Sequence, residues 1–239
     1  MRGLGTIINV AAVLAGSSLG LLFRRGMKPR FKETLMQAMG VSVVFLGLAG
    51  ALSGLLEVLE DGSVGSTRSM VLILSMLLGS LAGEFLDLEG LLERFGLWLR
   101  KRADAGGDDS FINGFLTASL TICVGAMAVV GSIQDGLTGD YSMLAAKALL
   151  DMIIVLVYAS TLGKGVIFSA IPVGIFQGAM TALAGLIAPL LTDAAVLGIS
   201  FVGSVLVFCV GANLAFDRKF HVANMLPALL VAAVAMSFA

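Results

Sequence analysis

The chain holds one histidine, two cysteines, one tryptophan and four prolines among 239 residues. Each scarcity removes a class of chemistry. A lone histidine, His221, argues against a His-based metal site or a Ser-His triad. Cys123 and Cys209 lie deep in separate apolar runs, without metal spacing or a disulfide framework, and read as packing residues. There is no phosphate-cradling nucleotide loop and no phosphotransferase or protease motif. The expectation is a protein that is not an enzyme and uses no cofactor or metal. Charge is scarce too: 13% of residues are Asp, Glu, Lys or Arg, against about 25% in a typical soluble domain. The net charge of −1 supplies no global field for nucleic acid.

Hydrophobic residues, by contrast, make up 58% of the chain, and glycine occupies 30 positions. A spanning helix needs about 20 mainly apolar residues. Such runs occur at 4–23, 35–57, 68–86, 111–132, 142–162, 165–187, 194–215 and 221–238. They predict an all-α polytopic membrane protein with eight transmembrane helices in a single membrane domain, 1–239. Only helices fit, because lipid satisfies no backbone hydrogen bonds and the runs lack barrel alternation. The first run has the early Arg and small residues of a signal peptide, but strongly basic residues follow it, so it reads as the first membrane helix.

The connections set an orientation. Arg24, Arg25, Lys28, Arg30 and Lys32 follow the first run. Arg94, Arg100, Lys101 and Arg102 follow the third, Lys164 the fifth, and Arg218 and Lys219 the seventh. All fall on one side, while "EVLEDGSVGST", "SIQDGLTGDYS" and "APLLTD" on the other are acidic or neutral. Basic excess marks the cytoplasmic side, which places both termini outside. The basic loops also suit anionic lipid.

Residues 87–102 differ from the spans. Leu88, Leu91, Leu92, Phe95, Trp98 and Leu99 share one helical face. Asp87 and Glu89 stand at its start and Arg100, Lys101 and Arg102 at its end, matching the helix dipole. This predicts an amphipathic helix on the cytoplasmic membrane surface, followed by a linker at 103–110.

The first and last thirds echo each other. "GTIIN" from Gly5 parallels "GVIFS" from Gly165, Pro29 parallels Pro189, and "GVSVVFLGLAGAL" from Gly40 parallels "GISFVGSVLVFCVGANL" from Gly198. Repeat 1, about 1–86, would match repeat 2, about 163–239, with helices 4 and 5 (111–162) inserted between them. Five crossings separate equivalent points, so the two repeats would be antiparallel, a build common among secondary transporters. Small residues four apart (Gly16 and Gly20, Gly79 and Gly83, Gly174 and Gly178) predict close helix packing within the monomer, with a dimer interface as the alternative.

Two opposite charges interrupt the fifth run. Lys147 and Asp151 stand four residues apart and share a helix face. An Asp at a helix centre costs about 2.5–3.5 kcal/mol on insertion scales, so such groups face a bundle interior or a water-filled cavity. Two readings stand open: a buried ion pair that locks helix 5, or part of an ion or substrate path. Gln134, Asn9, Gln177, Ser169 and Thr181 are the neutral groups expected to supply ligands beside the pair; Asp135 and Asp140, in the outer turn, read either as solvated or as the outer mouth of a pathway that attracts cations. Pro172 is expected to free a carbonyl inside helix 6.

Long ordered stretches carry a resemblance: "GFLTASLTICVGAMAVVGSIQDGLTGD", "KALLD", "YASTLGKGVIFSAIPVGIFQGAMTALAG" and "HVANMLPALL". With "GTIINVAAVLAGSSLG" and "MLLGSLAGEFLDLEGLLERFG", they resemble the YqgA/YdfK-type family of bacterial inner-membrane proteins, a domain-of-unknown-function family. The resemblance implies a multi-pass protein of the bacterial inner membrane and brings no substrate or catalytic residue. The functional expectation is a small secondary transporter or permease of an ion or small polar solute. Its site would lie near the midplane between the repeats, and the lipid bilayer and a homodimer are the other expected partners. The alternatives are a scaffold or sensor acting through residues 87–102 and the basic loops, and a channel.

Overall fold

The computed structural model describes residues 2–24, 28–58, 62–102, 110–123, 126–190, 192–216 and 220–238. Arg25, Arg218 and Lys219 of the basic loops, 59–61 of the acidic loop and 103–109 of the linker lie outside the described residues. The rest is almost entirely helical. The order is α1 (Leu4–Arg24), α2 (Pro29–Leu55), β1 (Leu56–Val58), β2 (Val64–Ser66), α3 (Ser69–Leu86), α4 (Leu88–Arg102), α5 (Phe111–Cys123) and α6 (Ala126–Thr138). Then come α7 (Ser142–Leu162), a 3-10 segment (Lys164–Ser169), α8 (Ala170–Ala182), α9 (Ala184–Ile187), α10 (Asp193–Phe216), α11 (Val222–Met225) and α12 (Ala228–Phe238).

Among the described residues, six helices are long and apolar enough to cross a membrane, or seven if α5 and α6 form one bent span. Eight spans are not confirmed among the described residues. The expected fourth span, 111–132, is two helices bent by 62°. The eighth, 221–238, is α11 and α12 with Pro227 between them, where the missing N–H and the ring of proline break the ladder. The sixth begins as a 3-10 turn after Gly163 (φ 91), and α8 starts only at Ala170. Pro172 sits just after the passage from 3-10 to α geometry, inside the continuous helical span Lys164–Ala182.

Two helix ends also move. α2 starts at Pro29, so Arg30 belongs to its first turn and not to the preceding loop; proline's fixed φ suits that position. Its 27 residues rise about 40 Å, more than the ~30 Å hydrocarbon core. α6 continues to Thr138, so Gln134 and Asp135 are helical and not in an outer turn. Gly139 (φ 78) ends it, its N–H reaching the Asp135 carbonyl at 3.0 Å. The acidic segment after α2 contains a small antiparallel hairpin pairing Leu56 with Ser66 and Val58 with Val64. Arg68, on the side read as acidic or neutral, binds Glu57 at 3.4 Å and the Gly54 carbonyl at 3.2 Å.

The chain forms two compact units, each discontinuous in sequence: one comprises Met1–Met39 and Gly90–Ala188, the other Gly40–Glu89 and Pro189–Ala239. In the second unit, α2 and α10 run antiparallel along a glycine seam. Gly40 meets Ala215, Gly47 meets Phe208, Gly50 meets Ser204 and Gly54 meets Phe201. α3 lies antiparallel to α11 and α12 in the same manner, Gly79 against Ala228 and Gly83 against the Asn224 carbonyl. Phe201, Val202, Ala228 and Ala232 form its core, with Leu55, Leu72, Met76 and Leu229 packed around them.

In the first unit, α1 and α7 run in the same direction: Gly5 touches Leu144, Gly16 touches Met152 and Gly20 touches Leu156. The expected packing role within the monomer therefore holds for Gly16, Gly20, Gly79 and Gly83. Gly174 faces Val10 across α1 and α8, whereas Gly178 faces open space. α4 is the expected amphipathic helix, but its apolar side is partly used inside the protein. Leu99 is buried with Phe111 and Phe115, and Phe95 meets Phe115 edge-on at 5.9 Å. Trp98 remains half exposed, stacked on Phe95, with the Arg102 guanidinium 5.5 Å from its ring centre.

Candidate functional site

The site is built on α7. Lys147 and Asp151 point to one side of the helix, as their four-residue spacing demands, and both are buried. Asp151 stands about 14 Å along a helix of 21 residues, near its middle. The Lys147 ammonium pairs with Asp151 Oδ2, and the same oxygen accepts Asn9 Nδ2–H at 3.0 Å. The glycine contacts that bring α1 close to α7 are what put Asn9 within reach.

The second partner of the ammonium lies at the break in the neighbouring helix. Lys147 Nζ also donates to the Ile122 carbonyl at 2.7 Å. Ile122 is in the last turn of α5, where helix carbonyls lack the N–H groups four residues on. A helix C-terminus carries partial negative charge, so a cation there is favourable. Bending between α5 and α6 thus exposes a carbonyl, and Lys147 occupies it. Half-helix ends that hold charge at membrane depth are a recurring feature of transport proteins.

The neutral candidates divide. Asn9 joins the ion pair and keeps its Oδ1 without a partner. Gln177, on α8, is buried with both carboxamide atoms unpartnered. Ser169 is buried but donates to the Val166 carbonyl of its own 3-10 turn at 2.7 Å. Thr181 donates to the Ser132 carbonyl at 3.0 Å, tying α8 to α6. Gln134 is exposed and belongs to no cluster of buried polar groups. Ser17 and Ser119 add two further buried, unpartnered hydroxyls in this unit. A buried polar atom left unpaired costs about 1–3 kcal/mol; the second unit carries two of its own, Ser75 Oγ and Glu89 Oε2.

Asp135 has a different role from the outer-mouth group expected. Fully buried, its carboxylate accepts Gly3 N–H at 3.1 Å and Gly5 N–H at 2.9 Å. It satisfies the free donors at the start of α1 and sits at the positive end of that helix's dipole. Arg24, at the other end of α1, contacts Ser110 Oγ at 3.4 Å, which donates to the Leu162 carbonyl at the end of α7. Asp140, in the connection before α7, accepts Ser142 N–H at 3.0 Å. Hydrogen bonds from Ser142 hold its carboxyl below the usual carboxylate range.

The second unit has its own polar group at the α3–α4 junction. Asn224 Nδ2–H donates to Glu84 at 2.7 Å, and its Oδ1 accepts Glu89 N–H at 2.8 Å. His221 lies 3.1 Å from Glu89. Glu84, near the end of α3, is therefore held by Asn224. No cluster of three or more metal-ligating side chains occurs among the described residues. Sequence reasoning missed the break after α5. It also missed Thr6, a buried residue with an unpartnered hydroxyl on the same face of α1 as Asn9.

A bundle of long apolar helices with charges buried at mid-helix defines a polytopic α-helical membrane protein. The family model described as "Protein of unknown function (DUF554)" matches residues 4–237, and the chain belongs to this family. It is similar to the "Uncharacterized membrane protein YdfK" of Bacillus subtilis (strain 168), with 30% identity over 227 residues, 95% of this chain and 93% of that protein. It is also similar to the "Uncharacterized protein YqgA" of Escherichia coli (strain K12), with 31% identity over 234 residues, 96% of this chain and 94% of that protein. No solved structure matches.

Proposed function

We propose that the protein is a small secondary transporter or permease for an ion or small polar solute, without enzymatic activity, working in the bacterial inner membrane with both termini outside. One observation carries the reading. The buried Lys147–Asp151 pair is held between Asn9 and the exposed carbonyl end of a broken helix, in a unit where Gln177, Asn9, Ser17 and Ser119 keep unpartnered polar atoms. A pair that served only as a lock would be expected to sit among satisfied groups. Open hydrogen-bonding capacity in the same unit as a charge pair, with Asn9 Oδ1 beside it, suits a path that a hydrated ion or polar solute shares. Asp151 is the ion-linked carboxylate and Lys147 its counter-charge.

The inverted repeat remains part of this reading. Each compact unit draws helices from both proposed repeats, and the counterparts α2 and α10, like α3 and α12, are antiparallel neighbours. That is the arrangement a two-fold axis in the membrane plane would generate. The test is uptake into proteoliposomes from a panel of labelled ions and small polar solutes. Asp151→Asn should abolish the uptake that the wild type shows; undiminished uptake by a folded Asp151→Asn protein would remove the carboxylate from the mechanism.

A second reading has its own observation. Half-exposed Trp98, with exposed Leu91 and Leu97 and the terminal Arg100, Lys101 and Arg102, suits a scaffold or sensor bound to anionic lipid. Because Leu99 is part of a buried core, deleting α4 is not a clean test. Replacing Arg100, Lys101 and Arg102 by Gln is: function should be lost on the scaffold reading and uptake retained on the transport reading.

A further inference from the structure

The Lys147 ammonium rests among oxygen atoms. It pairs with Asp151 Oδ2 and donates to the Ile122 carbonyl at 2.7 Å. Asn9 Nδ2–H reaches the same carboxylate oxygen at 3.0 Å, and Asn9 Oδ1 has no partner. A carboxylate, a carbonyl at the end of a broken helix and a carboxamide oxygen are ligands suited to a hard monovalent cation at membrane depth. We propose that these oxygens form a cation site, which the Lys147 ammonium fills as a tethered competitor of a free monovalent cation. The proposal rests on the transport reading for its role, and names that reading's ion.

Charge selects the occupant. Asp151 and the carbonyl end of α5 both attract positive charge, and together they already neutralise the ammonium that an anion would seek. One carboxylate balances one positive charge. No cluster of three or more His, Cys, Asp or Glu side chains stands among the described residues to hold a divalent ion.

Space decides how the cation enters. The Lys147 and Asp151 side chains are 8% and 5% exposed, and Asn9 Oδ1 is sealed from solvent. A ligand cannot join the pair; it can only take the ammonium's place. The exchange keeps the charge of the site, because one monovalent cation enters as one ammonium leaves. Lysine's flexible stem lets the ammonium withdraw, with its proton, toward the start of α7 at Ser142. Asn9 can follow the change. Turned over, its carboxamide sets Oδ1 where Nδ2 now meets Asp151, replacing a donor to the carboxylate by an acceptor for the cation beside it.

The experiment is a thermal-shift titration of the purified full-length protein in detergent. Sodium, potassium or ammonium chloride is added in turn, with choline chloride holding ionic strength constant and magnesium chloride as the divalent arm. Lys147→Gln empties the site, so at least one of the three monovalent cations should raise its Tm saturably. The wild type should need about tenfold more of that cation, because its site is free only in the fraction of molecules whose lysine has withdrawn. Lys147→Met with Asp151→Leu, which has no carboxylate, should not respond. A flat Lys147→Gln titration, an equal response from the double variant, a wild-type affinity equal to that of Lys147→Gln, or an equal response to magnesium would overturn the proposal. If Lys147→Gln folds in none of these salts, the wild type decides. A saturable rise that Asp151→Asn removes supports the site, and a flat titration overturns it. The two readings fail separately. Cation binding together with undiminished uptake in Asp151→Asn keeps the site and removes its transport role. Asp151-dependent uptake without any cation response does the reverse.

Discussion

The two compact units solve the same problem, packing helices where lipid is as apolar as their side chains, with different interiors. The second unit is held by glycine seams and an apolar core around Phe201 and Val202, with its polar contacts gathered where α3 and α4 meet α11. The first unit also uses glycine contacts between α1 and α7, yet keeps an ion pair, two open carboxamides and several open hydroxyls in its interior. Glycine packing without buried charge is sufficient to assemble membrane helices. The polar interior of the first unit is therefore an addition that stability does not call for, and function is the reason to look for there.

The sharpest way to break this contrast is to remove one partner of the ion pair. Asp151→Ala leaves the Lys147 charge buried and unpaired, and should destabilise the protein by about 3–5 kcal/mol in a detergent-unfolding measurement. The double substitution Lys147→Met with Asp151→Leu should recover most of that loss, because it removes both charges while keeping volume. Recovered stability with lost uptake would separate the functional role of the pair from its structural one; recovered uptake would erase the distinction between the units.

Gly83→Val tests the seam of the second unit. The added side chain meets the Asn224 backbone, which cannot yield as a side chain can, and should cost about 1–3 kcal/mol by the same measurement. Gly178→Val, facing open space in the first unit, should be close to neutral by comparison. Asp135→Ala removes the acceptor at the start of α1, with an expected loss of about 0.5–2 kcal/mol, the range for a helix cap. The smallest effect belongs to exposed Gln134: Gln134→Ala should stay within about 0.5 kcal/mol and leave any uptake unchanged. A larger change there would restore it to the group from which the structure separates it.

Asp140 adds a pH-dependent expectation outside the membrane. Its carboxyl is held below the usual range by Ser142, so the stability it contributes is present above the ordinary carboxylate pKa and is lost as pH falls through the depressed one. Asp140→Asn should flatten that acid limb of a Tm-against-pH profile.

Much of the architecture was legible residue by residue. The apolar runs located α1, α3, α7 and α10 to within a few positions, and the charge ladder of α4 marked both its ends. Breaks were harder to read. Pro227 divides the last helix and Gly139 ends α6 only after Thr138, while 3-10 geometry delays α8 to Ala170. Each of these is a competition between neighbouring hydrogen bonds, which hydropathy does not register. The candidate site was half legible. Lys147, Asp151 and Asn9 meet in the structure, and Gln177 is buried without a hydrogen-bond partner, whereas Asp135 proved to be a cap, Gln134 faces out and Thr6 went unnoticed.

By itself, then, the sequence determined the class of protein and the face on which Lys147 and Asp151 lie. Both follow from local quantities: the free energy of placing apolar side chains in lipid, and the 3.6-residue turn of a helix. Which groups those charges would meet was decided only by tertiary structure. Asn9 reaches Asp151 across 142 positions, and the Ile122 carbonyl accepts from Lys147 because α5 ends there. A hydrogen bond needs its donor and acceptor within about 3 Å, and positions so far apart in the chain come that close only once the helices have packed.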